Sequence, residues 1–311
     1  MTSRLLAPIV AALLVAAATA TVVVAQDRDD DVDAPAFRAE VRYAEVGDQR
    51  IAWYERGSGP PLVMAIGTGS TMAEWDPALL ELLARRHRLI LFDYPGIGES
   101  SPLPKGRLTF AWLADVTADF MAEIGVPQAD VLGWSMGGFV AQQLAIRRPG
   151  AVRRLILAGT NPGGDAAVLG DDDDQDDDSD PDPSDEQILR MLYPRTKAGR
   201  AEGRAFLRRL DTASEDGTIP DDFDVPTATQ RAQVAAEDPW LRSNANADGL
   251  RTLAIPVLVT GGRLDPVTPP ENARWMARRI PGARLQLFAD SHAFLFSERA
   301  RFAALIDDFL G

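Results

Sequence analysis

Short, almost wholly apolar runs alternate along most of the chain with stretches whose apolar residues recur at helical spacing, and this alternation limits the fold more than any other feature. Leu89-Ile90-Leu91-Phe92 and Leu155-Ile156-Leu157 are unbroken apolar runs. A strand with one face in water alternates apolar and polar residues, so an unbroken run marks a strand covered on both faces. The class that does this is α/β, a mostly parallel sheet flanked by helices. Eight strands are expected: Val41–Val46, Arg50–Glu55, Leu62–Ile66, Arg88–Asp93, Ala129–Gly133, Arg154–Ala158, Val257–Thr260 and Arg284–Phe288. The first two alternate instead and meet at Gly47-Asp48, as the strands of an edge hairpin do. Helices are predicted over Phe110–Ile124, Met136–Arg147, Pro270–Arg279 and Glu298–Leu310, the first two closed by Gly125 and Pro149.

The alternation lapses over residues 161–250, where helix-prone segments cover Gln187–Leu192, Ala198–Leu210 and Thr227–Ala236. So long a stretch inside a compact domain is better read as an inserted helical cap than as a loop. The expected organisation is a core of residues 41–160 and 251–311 interrupted by this cap. Within the cap, residues 171–186 hold eleven acids and no base, which accounts for all but three of the fourteen net negative charges. Such a run reads as a solvated, disordered loop. With no turn glycine and no ligand spacing, it does not resemble a calcium loop. A pI near 4.6 excludes the electrostatic footprint of a nucleic-acid binder.

The chain has no cysteine, so disulfides, thiolate metal sites and a cysteine nucleophile are excluded. Arg4 precedes an uncharged apolar run, Leu5 to Ala25, and Asp27, Asp29, Asp30 and Asp31 follow it. That order of charge reads as export. Ala18-Thr19-Ala20 and Val23-Val24-Ala25 offer small residues for cleavage, yet the run is also long enough to span a bilayer. Residues 1–25 are therefore a signal peptide or a membrane anchor, residues 26–40 a linker, and the body is secreted, periplasmic or held at the cell surface.

Gly133-Trp134-Ser135-Met136-Gly137 stands between an apolar strand and a helix. A G-x-S-x-G turn in that place lifts the central hydroxyl above the sheet edge, and the small residues let the backbone pass close to its neighbours. The helix that follows turns its N-terminal amides towards the same point, where negative charge would develop. A serine hydroxyl needs a base at neutral pH, and the chain holds only two histidines, His87 and His292. His87 lies in the basic Arg85-Arg86-His87-Arg88 segment and is expected to be exposed and incidental. His292 follows the last strand, at the edge where ligands gather in such sheets. Asp265 follows strand Val257–Thr260 and is the expected acid; a carboxylate near Asp165 is the weaker alternative.

Four segments carry a resemblance to the α/β-hydrolase superfamily. They are Phe92-Asp93-Tyr94-Pro95-Gly96-Ile97-Gly98-Glu99-Ser100, Gly133-Trp134-Ser135-Met136-Gly137-Gly138, Gly262-Arg263-Leu264-Asp265-Pro266-Val267-Thr268-Pro269 and Ala289-Asp290-Ser291-His292-Ala293-Phe294. Across residues 41–160 and 251–311 the chain is similar to its esterase, lactonase and cofactor-free haloperoxidase branch; the cap resembles that family in position only. The resemblance implies an α/β-hydrolase fold and a Ser135, Asp265, His292 triad in the chain order of the superfamily. It also implies an oxyanion hole from the backbone amides of Met136 and Thr68. Two departures stand out: Ile66-Gly67 replaces a common His-Gly before that hole, and Ser291 replaces a common glycine before the histidine.

The expected activity is hydrolysis of an ester-like acyl substrate, a small molecule, through an acyl-enzyme, with no metal and no organic cofactor required. Lactone opening, carbon–carbon bond hydrolysis and perhydrolysis would use the same triad. A binding protein on a hydrolase fold is the alternative of another class. Trp134, beside the nucleophile, is expected to contact substrate; Trp75 and Trp240 read as packing residues. Asp93, Gly96 and Gly98 read as shaping the turn after the fourth strand.

Overall fold

The computed structural model describes residues 37–170 and 185–311. The candidate signal or anchor, the start of the linker, and residues 171–184 of the acidic run lie outside them. Eight strands form one sheet: β1 Arg42–Val46, β2 Gln49–Arg56, β3 Pro61–Ala65, β4 Arg88–Phe92, β5 Ala129–Trp134, β6 Val152–Ala158, β7 Val257–Gly262 and β8 Arg284–Phe288. Their spatial order is β1-β2-β4-β3-β5-β6-β7-β8. β2 runs antiparallel to both neighbours, and every other pair is parallel.

Burial follows the apolar pattern. All six residues of β5 are buried, as are Leu89, Ile90 and Leu91 of β4. Edge strand β1 buries Ala44 and Val46 and turns Tyr43 and Glu45 outward. Ten helices accompany the sheet among the described residues. Those of the core are α1 Pro77–Ala84, α2 Phe110–Glu123, α3 Met136–Arg147, α8 Pro270–Arg279, α9 Phe294–Ser297 and α10 Arg299–Leu310. α2 packs on α3, and α1 on α10. The sequence periodicity above assigns nothing to α1, although Asp76 accepts the Ala78 amide at 2.8 Å and Pro77 sits at the first helical position.

Between β6 and β7 the chain is helical: α4 Asp185–Leu192, α5 Lys197–Glu215, α6 Thr227–Leu241 and α7 Ala245–Gly249. Helix α6 runs past Ala236 and through Pro239, where the sequence signals would have stopped it. The proline costs a backbone hydrogen bond. Its neighbour Trp240 is buried, donates to Asn161 Oδ1 at 2.9 Å and packs between Phe110 and Phe139, so tertiary contacts override the local breaker. α5 rests on α1 and on the short 3₁₀ turn Met72–Glu74. Arg209 of α5 reaches the fully buried carboxylate of Asp76 at 2.6 Å, so one aspartate both caps a core helix and ties the inserted helices to the core. Among the described residues no helix is long and apolar enough to cross a membrane.

Candidate active site

Parallel strands carry their outgoing loops to one edge of the sheet, and the loops after β3, β5, β6, β7 and β8 converge there. Ser135 occupies the turn between β5 and α3. Its φ of 55° makes it the only residue other than glycine with positive φ among the described residues. The turn is pinned on both sides: Ser135 N donates to Ala158 O at 3.0 Å, and Gly138 N donates to Ser135 O at 2.9 Å.

Close approach explains the flanking glycines. A Cβ on Gly133 would strike the Gly137 carbonyl, and one on Gly137 would strike the Ala65 carbonyl and stand 2.7 Å from the Ile66 oxygen. These obstacles are backbone and cannot rotate away. Gly137→Ala should therefore destabilise the fold by about 3 kcal/mol, at the upper end of overpacking costs, and shift the turn. Thermal or urea unfolding of the variant measures this; a melting temperature like that of the parent would contradict it.

His292 lies after β8. Its Nδ1 is 2.8 Å from Asp265 Oδ2, and both residues are buried. Asp265 is fixed from its other side as well: Oδ1 accepts the Val267 and Thr268 amides, each at 2.9 Å, and Oδ2 accepts the Thr268 hydroxyl at 2.9 Å. Sequence reasoning assigned Thr268 no role; its signal was the Asp-Pro-Val-Thr turn, in which an aspartate side chain folds back on the next amides. Leu264 N donates to Asp290 O at 3.0 Å, Arg263 N to Phe288 O at 2.8 Å, and Gly262 leaves no room for a Cβ beside Asp290 and Ser291. These contacts lock the Asp265 loop to the His292 loop. Ser291 fits its place, buried, with its hydroxyl 3.4 Å from Leu264 O.

Gly159 joins the two halves of the site. It follows Ala158, which holds the Ser135 amide, and a Cβ on it would lie 3.3 Å from the His292 ring and 3.5 Å from Asp265 Oδ2. Trp134 bridges them again, its indole N–H donating to the His292 carbonyl at 3.2 Å and its ring centred 5.3 Å from the imidazole. Trp134 is only 5 % exposed and also meets Trp75 and Phe296, so the contacts it shows are with the base and the core. Trp75 and Trp240 are buried packing residues.

His87 needs a correction. It is buried, not exposed, with Nε2 2.9 Å from Asp307 Oδ1 on α10; a partner distant in sequence draws in a residue whose sequence neighbours are all basic. Asp165 is exposed and bonded to Asn244 at 2.9 Å, away from His292's acid partner.

The loop after β3 passes directly over Ser135: a Cβ on Gly67 would be 3.2 Å from Ser135 Cβ. Thr68 follows, half-buried, and Met136 opens α3, where backbone amides have no partner within the helix. Ile66 is buried in the core, filling apolar space. Side-chain acceptors hold the rest of the loop: Gln233 Oε1 takes Gly69 N at 2.9 Å, Glu74 takes Thr71 N at 2.7 Å and Asp93 takes Met72 N at 2.6 Å. Asp93 thus braces this loop from the turn after β4. Burial raises its carboxyl well above the usual range, and burial pushes Glu74 up to about 8.

The consequence for Glu74 has a definite sign. Between its ordinary value and about 8 the unfolded chain has lost this proton while the folded chain keeps it, so the group favours unfolding increasingly as pH rises through that window. Glu74→Gln keeps an acceptor for the Thr71 amide and cannot ionise. The variant should gain melting temperature over the parent as pH rises from about 5 to 8, by at least roughly 2–4 °C at the upper end. Parallel thermal scans at the two pH values test it, and a constant difference would reject it.

Among the described residues no group of three or more His, Asp or Glu side chains is placed to hold a metal ion. The family model described as alpha/beta hydrolase fold matches residues 60–300. The chain is 29% identical over 267 residues to the pimeloyl-[acyl-carrier protein] methyl ester esterase of Aeromonas hydrophila subsp. hydrophila, covering 82% of this chain and 97% of that one. It is 29% identical over 275 residues to the poly(3-hydroxyalkanoate) depolymerase of Ectopseudomonas oleovorans, covering 86% and 92%. Among solved structures it resembles an alpha/beta hydrolase fold protein from Chitinophaga pinensis at a TM-score of 0.76 and 26% identity, covering 88% of this chain and 97% of that one.

Proposed function

The chain belongs to the α/β-hydrolase fold family and is a hydrolase, and from that premise we propose that it is a serine esterase working through a covalent acyl-enzyme. The observation that carries the reading is the 2.8 Å contact between His292 Nδ1 and Asp265 Oδ2, linked through Gly159 and Trp134 to a serine held in a positive-φ turn. With Nδ1–H directed at the carboxylate, the imidazole's lone pair is on Nε2, the atom free to accept the serine proton.

In the first step Ser135 Oγ bonds to the ester carbonyl carbon as its proton passes to His292 Nε2, and Asp265 stabilises the imidazolium. The tetrahedral oxyanion takes hydrogen bonds from the Met136 and Thr68 amides. The carbon–oxygen bond to the alcohol breaks and His292 returns the proton to the departing oxygen. Water then repeats the sequence, His292 removing its proton, and the acid is released with Ser135 restored. The relative named as a methyl ester esterase favours an acyl ester as substrate.

The experiment is fluorophosphonate labelling of the purified protein with peptide mass mapping. The expected result is one adduct, on Ser135, with loss of p-nitrophenyl butyrate hydrolysis in step with labelling. A folded protein that stays unlabelled would overturn the esterase reading and favour a binding protein on this fold.

The same reading places the body outside the cytoplasm, led there by the apolar run after Arg4. Expression with the native N-terminus should put the protein in the exported fraction. Recovery in the cytosol alone would refute this.

A further inference from the structure

Helix α6 lays two glutamines against the loop that crosses the nucleophile. Gln233, fully buried, accepts the Gly69 amide on Oε1 at 2.9 Å. Only an oxygen can face an N–H, so this bond fixes which way round the carboxamide lies. Its Nε2 is then buried with no hydrogen-bond partner among the described residues. Gln230, 2 % exposed and one turn earlier on the same helix face, also buries an unpartnered Nε2, which lies 3.3 Å from where a Cβ on Gly69 would stand.

Buried donors are almost always paired in native interiors, and each unpaired one carries its full desolvation cost. At Gln230 a leucine or methionine would fill the same space without that cost, and at Gln233 the bond to Gly69 uses only the oxygen and leaves the NH₂ unpaired. Their place is informative. Gly69 is two residues from Gly67, whose Cβ position is 3.2 Å from Ser135 Cβ. Two residues span at most about 7 Å, so the amides stand roughly one short acyl chain from the reacting carbon. The donors carry no charge, which suits a neutral acceptor.

Resting on the esterase reading above, we propose that Gln230 and Gln233 form a carboxamide subsite that recognises a neutral acceptor oxygen (ether, carbonyl or hydroxyl) on the acyl chain of the substrate. The preferred substrate is then an oxygenated acyl ester rather than a plain alkanoate. Gln233 has a second task, because the carboxamide that reads the acyl chain also holds Gly69 and hence the loop carrying Thr68.

The test uses p-nitrophenyl hexanoate and three analogues in which an ether oxygen replaces the third, fourth or fifth carbon of the acyl chain. Hydrolysis is followed with the parent, Gln230→Leu and Gln233→Met, the last of which removes the donor together with the acceptor for Gly69. Taking ratios to hexanoate within each protein cancels the intrinsic reactivity of the ethers. For at least one ether the kcat/KM ratio to hexanoate should fall about tenfold in Gln230→Leu and in Gln233→Met.

Melting temperatures check folding, and Gln230→Met replaces the leucine variant should that one be destabilised. Ether ratios unchanged within about twofold in both variants would overturn the subsite, leaving the glutamines as packing. Fluorophosphonate labelling run on the same samples separates the two claims. Labelled proteins without an ether preference sink the subsite alone, whereas a parent that takes no label sinks the esterase reading and the subsite with it.

Discussion

Ser135→Ala should lower kcat for p-nitrophenyl esters by about 10⁴- to 10⁶-fold while leaving the protein folded. Alanine keeps the Cβ and therefore the same backbone demands at φ 55°, and the hydroxyl makes none of the hydrogen bonds that pin the turn, which come from the Ser135 amide and carbonyl. The substitution isolates the nucleophile. Steady-state assays with a stringently purified variant measure the loss, and circular dichroism checks the fold. Residual activity within about tenfold of the parent would mean that another group attacks the ester and that Ser135 is not the nucleophile.

Asp265→Asn should cost about 10⁴-fold in kcat with little change in substrate binding. The reason lies in the four bonds the carboxylate receives. Oδ1 takes two backbone amides and Oδ2 takes the Thr268 hydroxyl and His292 Nδ1. An asparagine has one oxygen, and the two amides, which cannot turn away, claim it. The NH₂ then faces His292, whose Nδ1 must become the acceptor, so the ring proton moves to Nε2 and the base can no longer accept from Ser135. The pH profile of kcat/KM for the variant, with fluorophosphonate labelling rates, tests this account. A variant with parental kcat would show that the tautomer is not held from this side.

Much of the architecture was legible because its causes are local. Leu89-Ile90-Leu91 reads as a strand buried on two faces, and it is one. Ser135 could be picked out because a sharp strand-to-helix turn needs glycines at 133 and 137, whose missing side chains are visible in the sequence and whose obstruction is visible in the structure. His292 stands as the candidate base because the chain holds only one other histidine. What stayed hidden depends on distant partners. Pro239 stops a helix on paper, but buried Trp240 keeps it going, and His87 looks like part of a basic surface until Asp307 of α10 closes over it. Gln230 and Gln233 bear no signature of their own. Their significance comes from what stands opposite them after folding.

The backbone of Ser135 has an implication for anyone improving this protein. A residue with a side chain held at positive φ carries about 1–3 kcal/mol of conformational strain, and glycine would be relieved of it. The sturdiest sequence for this fold therefore does not have serine at position 135. Directed evolution scored on heat resistance or soluble yield alone would be drawn towards replacing it, reaching a tougher protein that lacks the proposed nucleophile. Any such campaign has to keep turnover in its selection from the first round.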